Sequence, residues 1–358
     1  MRLRHIQYML PLVEAPIRYL CSEINAIHKV HGQVKLNFAL AFPDLYEIGT
    51  SHFGLQILYH ILNQRPDIVA ERVFAPALDM QSYLRRQEIP LQSLESGSPL
   101  GQFDIIGFSL LYELNYTNVL GMLDLAGFPF KSMDRDHRHP LIIAGGPCTC
   151  NPEPVADLFD AIVVGDGEEV VIQMADAWIA WKQRDGRSRK TLLESWSRLP
   201  GVYIPSFFKV GYGVAGEPQL QALTDEQPLV ERAVLGDLDT AAFPSTPIVP
   251  YGRPVHDRLR LELARGCTRG CRFCQAGMIY RPVRERDPAT VMKQCEQALK
   301  TTGYDDISLL SLSTGDYRCI APLMEQMIHR YACDHVALSL PSLRAGTLSP
   351  ELMQSIKT

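Results

Sequence analysis

The sequence lacks an apolar run that approaches the roughly 18 residues a membrane-spanning helix needs. It also lacks an excess of basic charge, since 35 lysines and arginines stand against 40 aspartates and glutamates. That balance excludes a generally basic, histone-like binder of nucleic acid. Pro11 and Glu14 interrupt the only short apolar stretch at the N-terminus, so a signal peptide is not indicated. We therefore expect a cytoplasmic protein with no membrane partner.

The composition is that of an ordinary globular protein, with 46% hydrophobic and 21% charged residues. At about 150 residues per domain, 358 residues allow two domains or slightly more. No internal repeat and no low-complexity tract is present.

Nine cysteines are present, and in a reducing compartment they should be free thiols or metal ligands. Six are scattered, and we expect most of these to be small buried hydrophobic residues: Cys21, Cys148, Cys150, Cys295, Cys319 and Cys333. The other three, Cys267, Cys271 and Cys274, fall within eight residues.

Short apolar strands alternate with helical patterns in the first half of the chain. The predicted strands are 35–42, 104–110, 141–144 and 161–164, and the predicted helices are 54–62, 117–125 and 168–181. This alternation predicts an α/β fold, a Rossmann-like doubly wound parallel sheet that binds ligands at the carboxyl ends of its strands.

A second alternating unit begins near residue 258 and predicts the first part of a (β/α) partial TIM barrel. Its predicted strands are 259–264, 306–312 and 335–340. Asp287 and Pro288 should start the helix after the first strand, and Gly303 should end it. The expected organisation is a helical lead-in at 1–33, the Rossmann-like domain at 34–183, a linker or arm with short strands at 184–257 (near 202–210 and 229–234), and the partial barrel at 258–358.

The cysteine loop has the sequence LELARGCTRGCRFCQAG at 261–277, with the spacing Cys267-x3-Cys271-x2-Cys274. Thiolates are the usual ligands of iron–sulfur clusters, and three of them leave one iron of a four-iron cubane open. Zinc is the main alternative, although structural zinc prefers four ligands and no second cysteine pair exists here. Three isolated structural cysteines are a further alternative.

The cysteine spacing with Phe273 before the third cysteine, directly after a strand, resembles the radical S-adenosylmethionine superfamily. The longer run GCTRGCRFCQAGMIYRPVRERDP, with FALAFPDLYEIG and HFGLQILYHILN, resembles a subgroup whose cobalamin-binding-like domain precedes the radical domain. The resemblance implies that Cys267, Cys271 and Cys274 hold a [4Fe-4S] cluster. It also implies that the open iron binds the amino and carboxylate groups of S-adenosyl-L-methionine, which the reduced cluster cleaves to methionine and a 5′-deoxyadenosyl radical.

The same resemblance suggests where S-adenosylmethionine is held. The family motif for its amino group follows the second barrel strand, where this chain has Ser313, Thr314, Gly315 and Asp316 instead of the usual Gly-Gly-Glu. Ser313 or Thr314 as the cap of the next helix is the alternative. Tyr280, Arg281, Arg284 and Arg286 follow the loop, and we leave open whether they face substrate or form a solvated charged turn.

Cobalamin is left open as a further cofactor. Cobalamin-binding domains of this superfamily often carry Asp-x-His-x-x-Gly, and this chain has Asp44, Tyr46 and Gly49 in that register, so no histidine stands at the cobalt-ligand position. His52, nearby, is expected to be a surface or capping residue. Glycines and a serine at strand ends complete the candidate cobalamin site: Ser109, Gly145, Gly146 and Gly165. A degenerate domain that no longer binds cobalamin is the alternative.

The predicted function is that of a radical S-adenosylmethionine enzyme catalysing group transfer or C–H functionalisation on an unknown substrate, with no catalytic residue assignable. A non-catalytic or truncated iron–sulfur scaffold is the alternative. An electron donor such as flavodoxin or ferredoxin is the expected partner. Only 84 residues follow Cys274, fewer than the barrels of this family use, so the sequence predicts a fragment whose missing C-terminal half is a further candidate partner as a separate chain. Alone, such a fragment should be marginally soluble and cleave S-adenosylmethionine poorly.

Overall fold

The structure, a computed structural model, describes residues 8–185, 188–223, 229–344, 346–347 and 353. The chain divides into two compact units: unit 1 is Met1–Val234 with Pro250–Pro254, and unit 2 is Leu235–Val249 with Val255–Thr358. The segment expected as a linker is therefore shared between the units, and its first fifty or so residues belong to unit 1. None of the helices in the described ranges is long and apolar enough to cross a membrane.

The described residues of unit 1 form a mixed sheet, a hairpin and surrounding helices. The strands are β1 (Leu36–Phe42), β2 (Ile68–Phe74), β3 (Ile105–Ser109), β4 (Leu141–Gly145), β5 (Ala161–Val163), β6 (Val202–Tyr203) and the hairpin of β7 (Phe208–Tyr212) with β8 (Pro218–Ala222). The helices are α1 (Tyr46–Gly49), α2 (Phe53–Gln64), α3 (Leu78–Arg86), α4 (Tyr116–Ala126), α5 (Glu168–Lys182) and α6 (Arg189–Trp196).

The six-stranded sheet has the order β2-β1-β3-β4-β5-β6, with the first five strands parallel and β6 antiparallel to β5. This order confirms the predicted doubly wound α/β fold. The direction of winding reverses between β1 and β3, so the carboxyl ends of these two strands form the crevice in which such sheets bind ligands.

The central strands are buried on both faces, which explains why they were recognisable as continuous apolar runs. In β1, six of seven residues are buried. The sequence between Leu10 and Gln33 differs from the helical lead-in that was expected. It forms 3-10 turns at Leu10–Leu12, Pro16–Tyr19 and His31–Gln33, and prolines at the start of the first two disfavour a continuous helix.

Strand β2 was not predicted, although all seven of its residues are buried. It carries Arg72, whose guanidinium donates to both carboxylate oxygens of Glu23 (3.1 and 2.5 Å) and to Glu95 (2.6 Å). Burial alone would lower the pKa of Arg72, but the Glu95 and Glu23 carboxylates raise it well above its usual range. The lead-in is thus tied to the sheet edge by a buried ionic cluster of Glu23, Arg72 and Glu95.

The neighbouring residue of β2, Glu71, gives a pH prediction. Burial alone would raise its carboxyl pKa, but hydrogen bonds from His31, Ser93 and Ser96 outweigh burial and lower it. The ionised Glu71 carboxylate therefore stabilises the folded protein fully above the unfolded-state pKa of about 4.3. This contribution is lost as the pH falls through the lower folded-state pKa.

We expect the unfolding free energy of the parent protein to fall more steeply with acid below about pH 4 than that of Glu71→Gln, because the variant has no carboxyl there to protonate. Urea titrations followed by tryptophan fluorescence at several pH values measure both slopes. Equal slopes would contradict the assignment of this hydrogen-bonded carboxylate.

The described part of unit 2 begins a parallel strand–helix array. Its strands are β9 (Leu259–Glu262), β10 (Ala264–Arg265), β11 (Arg284–Glu285), β12 (Asp306–Leu310) and β13 (Ala337–Ser339), and its helices are α7 (Ala276–Ile279), α8 (Pro288–Thr302) and α9 (Ile320–Tyr331). Strands β9, β12 and β13 are parallel in the order β13-β12-β9, as in the first part of a (β/α) barrel.

Helix α8 begins and ends as predicted. The Asp287 carboxylate accepts from the Ala289 N–H at 2.8 Å, and Gly303 is left-handed with φ of 70°. Leu261 and Leu309, fully buried, belong to the apolar core of unit 2 together with residues of α8 and α9. That packing fixes where β9 and β12 end, and the candidate site lies there.

Candidate functional site

The cysteine loop connects β10 to α7 and starts beyond the carboxyl end of β9. Strand β10 pairs antiparallel with β11, which closes the base of the loop. Gly266 has φ of 96°, and a Cβ there would lie 2.6 Å from the carbonyl oxygens of Tyr280 and Pro282. Only glycine fits this position, so the chain turns sharply into the loop immediately before Cys267.

Cys267, Cys271 and Cys274 are free thiols, each partly exposed. A tight turn joins the last two, since the Cys274 N–H donates to the Cys271 carbonyl at 3.0 Å. Within the described residues, no three His, Cys, Asp or Glu side chains converge to hold a single metal ion. A cubane does not need such convergence, because each thiolate binds a different iron, whereas a single zinc ion does.

Arginines surround the loop, but several are already used by the fold. Arg265 donates to Glu262, at the end of β9, from 3.0 Å. Arg284 and Arg286 are buried and donate to backbone carbonyls, including that of Leu235 at 2.7 Å and that of Glu262 at 3.1 Å. The solvated-turn alternative is thus wrong for these two arginines, because they anchor strand β11 to the protein interior.

The loop also contacts the turn after β12. Arg269 donates from Nε to Asp316 Oδ2 at 2.8 Å and from Nη2 to Asp316 Oδ1. Hydrogen bonding to the Arg269 guanidinium holds the pKa of Asp316 below its usual range. The Asp316 carboxylate therefore lies beside the cysteine loop.

The other three residues of that turn, Ser313, Thr314 and Gly315, differ in their surroundings. Ser313 Oγ is buried, and hydrogen bonding from its side chain helps to lower the pKa of Asp316. Thr314 is fully buried, and its hydroxyl lies 3.4 Å from the Leu309 carbonyl. Gly315 lies against Thr347. Neither Ser313 nor Thr314 caps the next helix, since α9 begins at Ile320 with Cys319 at its N-cap, so the capping alternative is wrong.

These features fit the cluster and cofactor that the resemblance implies. Three partly exposed thiols share one loop, arginines lie beside it, and the buried Ser313 hydroxyl and the Asp316 carboxylate lie in the turn where a polar ligand is expected. Phe273 is 93% exposed, so its ring is available on the loop surface and does not belong to the protein core.

In unit 1, Asp44, Tyr46 and Gly49 all follow the carboxyl end of β1, at the switch point of the sheet. Asp44 Oδ1 accepts from the Leu45 N–H at 2.8 Å, and Oδ2 accepts from the Asn115 side chain at 3.0 Å. A Cβ on Gly49 would collide with the Phe74 ring. The Asp and Gly of the motif therefore shape the turn after β1.

Tyr46 is only 2% exposed, and its hydroxyl donates to Glu23 Oε1 at 2.8 Å. Burial, reinforced by the Glu23 carboxylate, raises the pKa of this phenol. The side chain at the histidine position thus points into the buried ionic cluster. His52, as expected, caps α2: its Nδ1 accepts from the Leu55 N–H at 3.1 Å.

The remaining candidate residues lie at the ends of β3, β4 and β5. Ser109 ends β3 and is buried. Gly146 has φ of 108°, and a Cβ there would lie 2.6 Å from the Leu110 carbonyl oxygen. Gly165 has φ of 111° and approaches the backbone of Ala233. Only Gly145 of these three faces open space, so two of the predicted close approaches are to the protein's own backbone.

The expectation for the scattered cysteines holds for two of six. Cys148 and Cys295 are buried, whereas the others are partly or fully exposed. The predicted strand at 229–234 is likewise reduced to a single bridge between Gly165 and Ala233 in the described residues.

A cleft that sequence reasoning missed lies at the carboxyl end of β2. Its cavity volume is about 50 Å³, and it is lined mainly by apolar side chains: Arg18, Tyr19, Tyr46, Phe74, Ala75, Pro76, Met80, Leu84, Leu91, Gln92, Ser93 and Leu94. Arg18, in its wall, donates to Glu47 at 2.7 Å. Because β2 itself was not predicted, no sequence signal pointed to this cleft.

Comparisons with known proteins found similarity to radical S-adenosylmethionine proteins. Residues 54–205 match the family described as "Radical SAM proteins, N-terminal". An uncharacterized protein of Methanocaldococcus jannaschii, MJ0966, is 25% identical over 324 residues, which cover 90% of this chain and 58% of that protein.

The fold is similar to that of the radical S-adenosylmethionine methyltransferase TsrM from Kitasatospora setae. A structure of TsrM with tryptophan substrate and an S-adenosylmethionine analog aligns with a TM-score of 0.55, and one with cobalamin and a [4Fe-4S] cluster with 0.54. Each alignment covers 89% of this chain, at 13% identity, and supports the fold alone. The chain spans 56–58% of the length of these relatives.

Proposed function

We propose that the chain is a radical S-adenosylmethionine enzyme, which binds a [4Fe-4S] cluster and S-adenosylmethionine in unit 2. The observation that carries the proposal is the loop between β10 and α7, where Cys267, Cys271 and Cys274 are free, partly exposed thiols beside the carboxyl ends of β9 and β12. When bound, the reduced cluster supplies the electron that cleaves S-adenosylmethionine to methionine and a 5′-deoxyadenosyl radical.

The chain's own residues would hold and orient these groups. The three thiolates bind three irons, and Gly266 allows the chain to turn tightly before the first of them. Asp316 and Ser313 offer polar contacts to the amino-acid end of S-adenosylmethionine. Phe273, exposed on the loop, offers an aromatic face beside the cofactor. The reaction is group transfer or C–H functionalisation on a substrate that these residues do not specify.

Cobalamin binding by unit 1 is a second part of the proposal. Support comes from the doubly wound sheet, the open face at Gly145 and the position of Asp44, Tyr46 and Ser109 at the ends of β1 and β3. We accordingly propose 34–183 as the cobalamin-binding-like domain and 258–358 as the radical domain, with 1–33 as lead-in and 184–257 as a connecting segment that belongs to unit 1 as far as Val234.

If cobalamin binds, we expect no protein histidine on its cobalt, because Tyr46 stands at that position and its hydroxyl is used by Glu23. Paramagnetic resonance of the cob(II)alamin form should lack nitrogen superhyperfine splitting from a protein ligand. Such splitting would contradict the prediction, and His52→Ala is the control because it removes the histidine next in sequence. Failure of cobalamin to remain with the protein would instead favour a degenerate domain.

The partners we propose are an electron donor of the flavodoxin or ferredoxin type and further strand–helix units of the barrel. In the described residues, β13 pairs with β12 and with no strand beyond it. Its free edge is suited to continue the parallel sheet, with units supplied by the same protein or by a separate chain.

The deciding experiment measures iron, sulfide and S-adenosylmethionine turnover after anaerobic reconstitution of the full chain. We expect about four irons and four sulfides per chain, and 5′-deoxyadenosine after reduction. Zinc without sulfide would overturn the cluster assignment. A full cluster without 5′-deoxyadenosine, even when the remaining barrel units are supplied, would favour the non-catalytic iron–sulfur scaffold.

A further inference from the structure

The cleft at the carboxyl end of β2 combines an apolar interior with one charged side chain in its described lining. Phe74, Met80, Leu84 and Leu91 are each at most 9% exposed, and Arg18 is the charged residue. A water molecule needs about 10–15 Å³ of cavity volume, and an apolar cavity of about 150 Å³ holds benzene. The cleft, with about 50 Å³, therefore accommodates a branched aliphatic group of about three or four carbon atoms.

The ion pair between Arg18 and Glu47 leaves hydrogen-bonding groups unused on both side chains. Arg18 Nε donates to Glu47 Oε1 at 2.7 Å, and among the described residues no acceptor is hydrogen-bonded to Arg18 Nη1 or Nη2. Glu47 Oε2 is buried and has no hydrogen-bond partner in that part of the chain. An arginine and a carboxylate often pair through two parallel hydrogen bonds, whereas this pair uses one. Because a buried carboxylate oxygen without a donor is costly, the pair is suited to a ligand that brings a donor and an acceptor.

The charges around Arg18 restrict the kind of ligand further. Arg18 interacts with the carboxylates of Glu47 and Asp79, and the hydrogen bond to Glu47 raises the pKa of the guanidinium. Asp79 is already used, because it accepts from the Glu14 and Met80 N–H groups at 2.8 and 2.7 Å. A plain carboxylic acid would add a third negative charge and leave Glu47 Oε2 without a donor. A plain amine would supply that donor but leave the Arg18 Nη atoms unused.

We propose that this cleft binds a free aliphatic α-amino acid of the size of valine. The ligand's carboxylate pairs with the Arg18 Nη atoms, its ammonium group donates to Glu47 Oε2, and its side chain enters the apolar interior of the cleft. A zwitterion is neutral overall, so it satisfies both charged side chains without changing the net charge of the site. The site belongs to unit 1, and its occupation does not depend on the proposed cluster or on S-adenosylmethionine.

Isothermal titration calorimetry of the full chain tests the proposal with four ligands: L-valine, isobutylamine, 3-methylbutanoate and L-phenylalanine. Isobutylamine is valine without its carboxylate, and 3-methylbutanoate is valine without its amino group. We expect L-valine to bind with a dissociation constant of about 1 mM or below, and both analogues to bind at least about tenfold more weakly, because each loses one charged contact. L-Phenylalanine should bind more weakly as well, since its ring is too large for the cavity.

Substitutions separate the two charged contacts. Arg18→Gln should weaken the binding of L-valine about tenfold and leave that of isobutylamine no weaker than in the parent, and Glu47→Gln should do the same for L-valine and 3-methylbutanoate. Ala75→Leu, which adds three carbon atoms to the lining, should abolish the binding of L-valine. Arg85→Gln is the matched control: it removes an exposed ion pair to Asp124 from α3, outside the cleft lining, and should bind L-valine as the parent does.

Three results would overturn the inference. In the first, the parent binds no L-valine at concentrations up to about 10 mM. In the second, isobutylamine or 3-methylbutanoate binds as tightly as L-valine, so that the zwitterion is not recognised. In the third, Arg18→Gln and Glu47→Gln weaken all ligands equally or none of them. Because the ratio of two affinities is measured on the same folded protein, a loss of stability, monitored by the urea midpoint, does not imitate the expected change in that ratio.

Discussion

Replacing Cys267, Cys271 and Cys274 together by alanine is expected to abolish iron and sulfide binding. These three are the partly exposed thiols of one loop, and no group of three His, Cys, Asp or Glu side chains in the described residues is arranged to hold a single metal ion elsewhere. Without thiolates the irons have no protein ligands at this position. Colorimetric iron and sulfide assays and the visible absorbance of the anaerobically reconstituted protein measure the loss.

Single substitutions should give an intermediate result. Loss of one thiolate leaves two irons of a cubane without protein ligands, so we expect a cluster that forms incompletely and decays rapidly in air. Cys319→Ala and Cys333→Ala are matched controls, because both cysteines belong to unit 2 but lie outside the loop, and they should retain full iron. A triple variant with as much iron and sulfide as the parent would refute the assignment.

The cysteine site could be predicted from sequence because its information is local. The spacing of the three thiols and the glycine before the first one are written within a few residues, and the structure keeps them in one loop. The residues of the ion pair between Arg269 and Asp316 are 47 positions apart in the sequence, so no local sequence pattern predicts the contact. Only folding of β9 and β12 side by side brings these residues together.

The sheet was predicted where burial makes strands uniformly apolar, as in β1, β3 and β4. Strand β2 was not predicted because Glu71 and Arg72 interrupt its apolar run. The partners of these two residues lie in segments distant along the chain. The same partners include Glu23 from the lead-in, so missing β2 also concealed how the lead-in is held. The glycines at strand ends were recognised, but sequence alone does not tell whether a glycine approaches a ligand or, as at Gly146, the backbone of Leu110.

Replacing Arg72 by methionine is expected to destabilise unit 1 by about 3–5 kcal/mol. The Glu23 and Glu95 side chains are each 1% exposed, and Arg72 is the guanidinium that both of them contact. Removing it leaves two carboxylates buried close together, with the Tyr46 hydroxyl as a remaining donor to Glu23. Urea denaturation measures the change, and all three tryptophans lie in unit 1, so their fluorescence reports this unit.

Two control variants distinguish the loss of the buried ionic cluster from the loss of a surface arginine. Arg65→Met removes ion pairs to Asp67 and Asp176 from the surface of the same unit, and it should cost only about 0–1 kcal/mol because water replaces the lost contacts. The triple variant Glu23→Gln, Arg72→Met, Glu95→Gln should be more stable than Arg72→Met alone, since no charge is then left buried without a partner. If Arg72→Met were as stable as Arg65→Met, the cluster would contribute nothing beyond a surface ion pair, and the lead-in would have to be held at the sheet edge by its apolar contacts alone.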